Sequence, residues 1–197
     1  MADILVLYYS GSGSIQEMAK LIARGVNKVS GTNARIRTVP KVSANTERVE
    51  TSPPATGNPY VAEKDLEECI GLALGSPTRF GNMAAPLKYF LDSLSGAWLK
   101  GTLSGKPASV FTSAGSMHGG QEVTLLSMAV PLLHHGMIFL GIPFTHSELR
   151  TTTSGGTPYG SSHYAGDTNN YKISDEERKL CIAQGERLAI TAIKLAK

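Results

Sequence analysis

The chain has 197 residues, 41% hydrophobic and 18% charged, with 19 Lys plus Arg against 16 Asp plus Glu and a formal net charge of +3. A length of this order supports one sizeable core, so a single domain is expected over residues 1–197. The basic excess is small and gathers into no Lys/Arg cluster or basic amphipathic stripe, which argues against nucleic acid or a membrane surface as the main partner.

Met1-Ala2-Asp3 leads directly into an apolar run, and no apolar stretch approaches the length of a membrane helix, so neither signal peptide nor membrane span is expected. The two cysteines, Cys69 and Cys181, lie far apart without C-x-x-C spacing, which fits reduced thiols in a cytoplasmic protein. Apolar runs of strand length recur at 3–9, 33–39, 69–75, 107–113 and 137–141, and several intervals between them carry helical periodicity. This is the β-α-β rhythm of a parallel sheet. Ile4-Leu5-Val6-Leu7 and Ile70-Gly71-Leu72-Ala73-Leu74 are continuous rather than alternating, as central strands covered on both faces require.

The first helix, over 15–29, places Ile15, Met18, Ala19, Ile22, Val26 and Val29 on one stripe. A second spans 84–94, with Pro86 in its first turn. A third spans 121–135, where Pro131 implies a kink or an early break. The last starts at Ser174 with Glu177 three places on, the spacing of a capping box. Two stretches fall outside the rhythm. Residues 41–64 contain Ser52-Pro53-Pro54 and Thr56-Gly57-Asn58-Pro59, and 143–172 hold Thr151 to Gly160 with little periodicity, so both are expected as irregular excursions.

Ser10-Gly11-Ser12-Gly13-Ser14-Ile15 occupies the turn from the first strand into the first helix. Amides at a helix start lack intrahelical acceptors and carry the positive end of the dipole, so the turn is either a phosphate cradle or a plain capped start. The spacing excludes a P-loop, because Gln16 stands where its second glycine belongs and no Lys precedes Lys20. It also excludes the G-x-G-x-x-G fingerprint, whose third glycine is again Gln16, and the second strand offers no acidic residue.

In an open parallel sheet the loops after strands one, three and four meet at one edge. The other two read Ser76-Pro77-Thr78-Arg79-Phe80-Gly81-Asn82 and Thr112-Ser113-Ala114-Gly115-Ser116-Met117-His118-Gly119-Gly120. A phosphate at the first loop and a planar ring between the other two describe FMN. His134-His135 is a poor metal pair, since adjacent helical residues point about 100° apart and no Cys, Asp or Glu stands beside them at ligand spacing. Trp98 is by itself a core, interface or pocket aromatic, and Arg79 is either a surface ion-pair partner or a cofactor contact.

The chain resembles the WrbA-type family of flavodoxin-like NAD(P)H:quinone oxidoreductases. The resemblance runs from Leu5-Val6-Leu7-Tyr8-Tyr9-Ser10 through Pro77 to Met83, Gly119-Gly120-Gln121-Glu122, His134-His135-Gly136-Met137 and Gly155 to Gly160. It implies a doubly wound α/β fold with a five-stranded parallel sheet in the order 2-1-3-4-5, helices on both faces, FMN, and a homotetramer built through dimers. By matching motif, Ser10, Gly11, Ser12, Gly13, Ser14 and Ile15 hold the FMN phosphate. Pro77, Thr78, Arg79, Phe80, Gly81 and Asn82 meet the ribityl chain and ring, and Thr112 to Gly119 line the ring edge. His134 approaches from a second subunit as the catalytic imidazole, and Trp98 and Ser12 face the nicotinamide and quinone substrates. Ser12 and Ser14 depart from the aromatic residue and His common there in the family.

The implied reaction is a two-electron hydride relay from NADH or NADPH through the flavin to a quinone. The competing reading is a one-electron carrier flavodoxin. Such a carrier is expected to ring the flavin with carboxylates, whereas 76–82 and 112–120 contain no Asp or Glu.

Overall fold

The run Ile4 to Leu7 lies within β1 (Ala2–Tyr8), and its side chains alternate between two buried layers. Leu5 and Leu7 join one core; Ile4, Val6 and Tyr8 join the other. A continuous apolar segment is therefore what a strand needs when helices cover both faces. The computed structural model describes residues 1–42 and 57–196, so Ser52-Pro53-Pro54 and the rest of 43–56 lie outside the described residues.

In chain order the remaining elements are α1 (Ser14–Val26), β2 (Thr32–Thr38), α2 (Glu63–Glu68), β3 (Gly71–Arg79) and β4 (Asn82–Met83), then α3 (Ala85–Asp92), α4 (Ser95–Leu99) and β5 (Pro107–Ala114). They end with α5 (Gln121–His134), β6 (Ile138–Phe139), α6 (Glu148–Thr151), β7 (Ser161–Tyr164) and α7 (Asp175–Leu195). The sheet runs β2-β1-β3-β5-β6 with every neighbour parallel, which is the order 2-1-3-4-5 for the five expected strands. On one face α3 and α5 bring Leu87, Leu91, Leu125, Met128 and Leu132 onto Leu5, Leu7, Leu72 and Leu74. On the other, α1 and α7 bring Met18, Ile22, Cys181 and Leu188 onto Ile4, Val6 and Phe111.

Several boundaries differ from the sequence reading. Cys69 caps the C-terminus of the unforeseen α2 instead of opening a strand, because its buried thiol sits over that helix end and donates to Leu66 O. The strand begins at Gly71 and runs on through Ser76-Pro77-Thr78-Arg79, so much of the expected second loop is strand paired in an antiparallel hairpin with β4. Pro131 does not end α5. The helix continues to His134 and closes with His135 N–H on Pro131 O at 3.1 Å, since a proline near the end forfeits a single bond.

The fifth position of the sheet is filled twice. β6 pairs with Pro107 and Ala108 at one end of β5, and β7 pairs with Phe111 to Ala114 at the other. The excursion at 143–172 therefore leaves the sheet and returns to it. At the return point a Cβ on Gly160 would lie 2.1 Å from Val110 O, so only glycine fits. The returning strand is held by the α7 side chains of Glu177 and Gln184. Glu177 accepts from Gly155 N (2.7 Å), Tyr164 N (3.0 Å), Ser174 N (2.9 Å) and pairs with His163 Nδ1 (2.8 Å), with both partners buried. Gln184 accepts from Ser161 N at 2.7 Å and donates to Val110 O at 2.9 Å, bridging β7 to β5.

Helices α1 and α7 cross at two glycines. A Cβ on Gly25 would fall 2.0 Å from Ile182 O, and one on Gly185 would fall 2.0 Å from Ile22 O. Backbone thus touches backbone at the crossing, and no side chain can be added without moving α1. Gly185→Ala is expected to cost roughly 1–3 kcal/mol, read in thermal melts as about 2–4 °C of Tm per kcal/mol; an unchanged Tm would refute the close crossing.

Burial pushes the Glu177 carboxyl up, but the hydrogen bonds from His163 and from the Ser174 and Tyr164 amides outweigh it and hold it below the ordinary carboxylate range. A carboxyl depressed by folding contributes stability above its unfolded pKa and loses it as pH falls through the folded value. Glu177→Gln is therefore expected to lower Tm at pH 7, with the deficit against the wild type shrinking as pH drops below about 4. A deficit independent of pH would mean that the carboxylate charge is not what holds the clasp.

Candidate functional site

At the carboxyl edge of the sheet, Tyr9 N–H still bonds Gly75 O at 3.0 Å before the chain turns into α1. Ser10 Oγ accepts from Gly13 N–H at 3.0 Å and folds the turn onto itself. Gly13, the N-cap, has φ 101°, a left-handed conformation that Gly adopts without penalty. Helix geometry leaves the amides of Ser14, Ile15 and Gln16 without intrahelical acceptors, and Ser14 and Ile15 both line an open cleft of about 370 Å³. No side chain caps the helix start, so these amides face the cleft.

Three of the expected groups converge on this cleft. Ser10, Gly11, Ser12, Ser14 and Ile15 come from the first loop, Pro77, Thr78 and Arg79 from the end of β3, and Ser113 and Gly115 from the end of β5. No carboxylate lines it among the described residues. Arg79 lies in this cleft close to the serine loop. Its Nη1 donates to Thr78 O at 2.7 Å, and Nη2 lies 3.8 Å from where a Cβ on Gly11 would stand. The guanidinium thus overhangs the serine loop, so a cation joins the hydroxyls and amides of a cradle the sequence presents as uncharged.

Phe80 and Gly81 form the two-residue turn of the β3–β4 hairpin, with φ 52° and 76°. Positive φ at both positions is the type I′ pattern that matches strand twist, but a phenylalanine there carries a backbone cost on the order of 1–2 kcal/mol. Phe80 is fully exposed, so packing does not repay that cost within the chain. Such unrewarded strain marks a side chain presented for contact. The hairpin is fastened to α5: Thr78 and Thr124 share a hydroxyl hydrogen bond of 2.6 Å, and Ser127 Oγ donates to Gly81 O at 3.2 Å.

Other candidates fall elsewhere. Thr112 and Ala114 are buried in β5, and the Thr112 hydroxyl is committed to Ser76 O at 2.8 Å, so these two support the sheet rather than line the cleft. Ser116, Met117 and His118 are exposed in the loop beyond Gly115, which Gln121 Nε2 fastens through Met117 O at 3.2 Å. Gly119 follows them in the same loop, its amide turned back onto Ser116 O at 3.2 Å. Asn82, Trp98 and His134 meet in a second, more apolar cleft of about 590 Å³ beside α3, α4 and α5. There Trp98 Nε1 donates to His134 O at 2.7 Å. The neighbouring His135 is held below its ordinary value by burial and by His134, and its Nδ1 is buried without a partner.

Asn169, from the excursion, also lines the serine cleft and has φ 53°. The sequence reading did not single it out. The run Gly166-Asp167-Thr168-Asn169-Asn170 is a turn signal in which Asn tolerates the left-handed region, yet nothing local says where the turn is carried. Among the described residues there is no group of three or more His, Cys, Asp or Glu able to hold a metal, and no helix long and apolar enough to cross a membrane.

The comparisons agree with this geometry. The structure resembles a flavodoxin, WrbA-like protein from Agrobacterium tumefaciens, with TM-score 0.69 and 20% identity over 99% of both chains. It also resembles a flavodoxin from the domain Archaea, with TM-score 0.63 and 18% identity over 97% of this chain and 99% of that one. Flavodoxin 1 from Bacillus cereus matches with TM-score 0.62 and 18% identity over 96% and 98%. At these identities the likeness shows a flavodoxin-like fold. The model of the NADPH-dependent FMN reductase family matches residues 3–147, which is most of the chain and includes all three strand-end loops, and the protein belongs to that family.

Proposed function

We propose that the protein is an FMN-dependent NAD(P)H:quinone oxidoreductase. The observation that carries this reading is the cleft where the unpaired amides of α1, the Ser10–Ser14 hydroxyls and the Arg79 guanidinium converge without a carboxylate. These groups fit a phosphate monoester, and the raised, exposed Phe80 fits an aromatic ring lying next to it. When bound, FMN supplies hydride chemistry, accepting from a nicotinamide and delivering two electrons to a quinone.

The chain's own part is to bind and to orient. Ser10, Ser12, Ser14 and the α1 amides hold the phosphate, and Arg79 neutralises part of its charge. Thr124 and Ser127 fix the hairpin that presents Phe80 and Asn82. Gly115, just past the end of β5, offers its backbone amide toward negative charge that builds on a reduced ring. The lack of acidic residues around these loops favours this enzyme over a one-electron carrier, whose ring is expected to sit among carboxylates.

Helix α5 supports the oligomer in this proposal. Val123, Leu126, Val130 and Leu133 are exposed at steps of three and four, so the helix presents an apolar stripe outward as well as inward. A second copy seated on that stripe covers it and brings His134 and Trp98 toward a neighbouring subunit. His134 is exposed there, as a proton donor to bound quinone requires. The two unpaired, buried thiols fit a cytoplasmic setting.

Titration of the apoprotein with FMN is expected to show binding at micromolar levels or tighter. Arg79→Ala should weaken it by about ten-fold through loss of a charge-assisted contact. Bleaching of the bound flavin by NADH or NADPH and its recovery on adding benzoquinone complete the test; an apoprotein indifferent to FMN would end the proposal. Leu126→Glu with Val130→Glu is expected to convert the oligomer to monomer in light scattering while FMN binding persists. An unchanged mass would place the subunit interface elsewhere.

A further inference from the structure

The excursion after β7 reaches the serine cleft through a turn whose base is one buried carboxylate. Glu177 accepts from the amide of Tyr164 at 3.0 Å and from that of Ser174 at 2.9 Å, so residues 165–173 leave and rejoin the fold at the same side chain. Within the turn, Ala165 N–H bonds Ala114 O at 2.8 Å, Asn169 N–H bonds Gly166 O at 3.0 Å and Tyr171 N–H bonds Ala165 O at 3.0 Å. The carbonyl of Gly166 lies 3.5 Å from where a Cβ on Gly115 would stand, and the turn thus rests against the loop that follows β5.

Asn169 stands midway between the two pinned amides and lines the serine cleft together with Ser12, Ser14 and Arg79. Its φ of 53° is one that Asn adopts more readily than most side chains. Among the described residues only Phe80 and Asn169 hold a positive φ without being glycine, and Phe80 directly follows Arg79, so both special backbone positions border this cleft. The Asn169 side chain is exposed and makes no hydrogen bond to any described residue. Its carboxamide brings two N–H donors and no charge. Asp167, in the same turn, does not line the cleft.

The α1 amides, the serine hydroxyls and the Arg79 guanidinium that meet here are donors, and a neutral carboxamide beside them adds donors without the repulsion of a carboxylate. We infer that Asn169 Nδ2 donates to the phosphate of FMN, so that the turn at 165–173 supplies a cofactor-binding residue. The inference rests on the FMN reading above. It adds a residue outside all three strand-end loops and beyond the 3–147 span that the family model matches. Because Glu177 holds both ends of the turn, the contact is ordered before the ligand arrives and little chain entropy is lost on binding.

Glycine and aspartate are the replacements that keep a left-handed turn. The apoproteins are titrated with FMN and with riboflavin, followed by flavin fluorescence. Asn169→Gly is expected to weaken FMN about ten-fold and to leave the riboflavin Kd unchanged, because the bond lost is the one to the charged group. Asn169→Asp weakens FMN further, since a carboxylate repels the phosphate, and again spares riboflavin. The unchanged riboflavin Kd doubles as the check that the turn is intact. An FMN Kd that neither substitution moves, or an equal loss for both flavins, overturns the inference. A protein whose preference for FMN over riboflavin depends on Asn169 in this way, yet which passes no electrons from a nicotinamide to a quinone, keeps the contact and overturns the activity instead.

Discussion

Three amides at the start of α1 have no acceptor inside their helix, and the loops at the carboxyl edge of the sheet gather around them. Gly13 in the left-handed region starts the helix without a side-chain cap, so Ser14, Ile15 and Gln16 keep their amides free. A positive helix end held open to solvent is stabilised by an anion, worth typically about 0.3–1 kcal/mol for a surface charge and more when partly buried. The position of that end is set from behind. Gly25 of α1 meets Gly185 of α7 backbone to backbone, and α7 also carries the glutamate and glutamine that hold the returning strand. One long C-terminal helix therefore positions α1 behind the serine loop and brings the excursion back to the sheet.

That coupling explains why the fifth sheet position is split. β6 covers only the first part of β5, and the second part would expose a strand edge next to the cleft. β7 closes it, and the turn after β7 carries Asn169 to the serine cleft. Tyr164 and Tyr171 brace this turn edge to face, with centroids 5.2 Å apart. Glu177 lies at the base of the arrangement, because a buried carboxylate with several fixed donors tolerates little movement in any of them.

The hairpin at Phe80 and the outer face of α5 share a feature: both present apolar surface that the chain itself leaves uncovered. A strained, exposed aromatic and an outward apolar stripe cost solubility unless something lies against them. A flavin ring and a second subunit are chemically suited to these two surfaces in turn.

The parallel order, the capped start of α7, the buried stripe of α1 and the serine-glycine turn were all legible in the sequence, because each follows from local rules of periodicity, capping and backbone freedom. Local rules also misplace what only packing settles. Cys69 looks like strand because it is apolar, and becomes a helix cap because Lys106 donates to Leu66 O and Glu67 O and closes α2 just before it. Arg79 reads as a ring or ribityl contact from its motif, and lies over Gly11 because β3 runs four residues longer than its apolar stretch. Asn169 had no sequence signal tying it to the cleft, since its position depends on β7 pairing with β5 across 50 residues of chain. The sequence alone determined the five strands of the parallel sheet, four of the helices and the serine-glycine turn that opens the first of them. Only the tertiary structure decided which side chains line the cleft beside that turn, because the approach of residues distant in the chain is governed by glycine crossings and buried hydrogen bonds that no local pattern encodes.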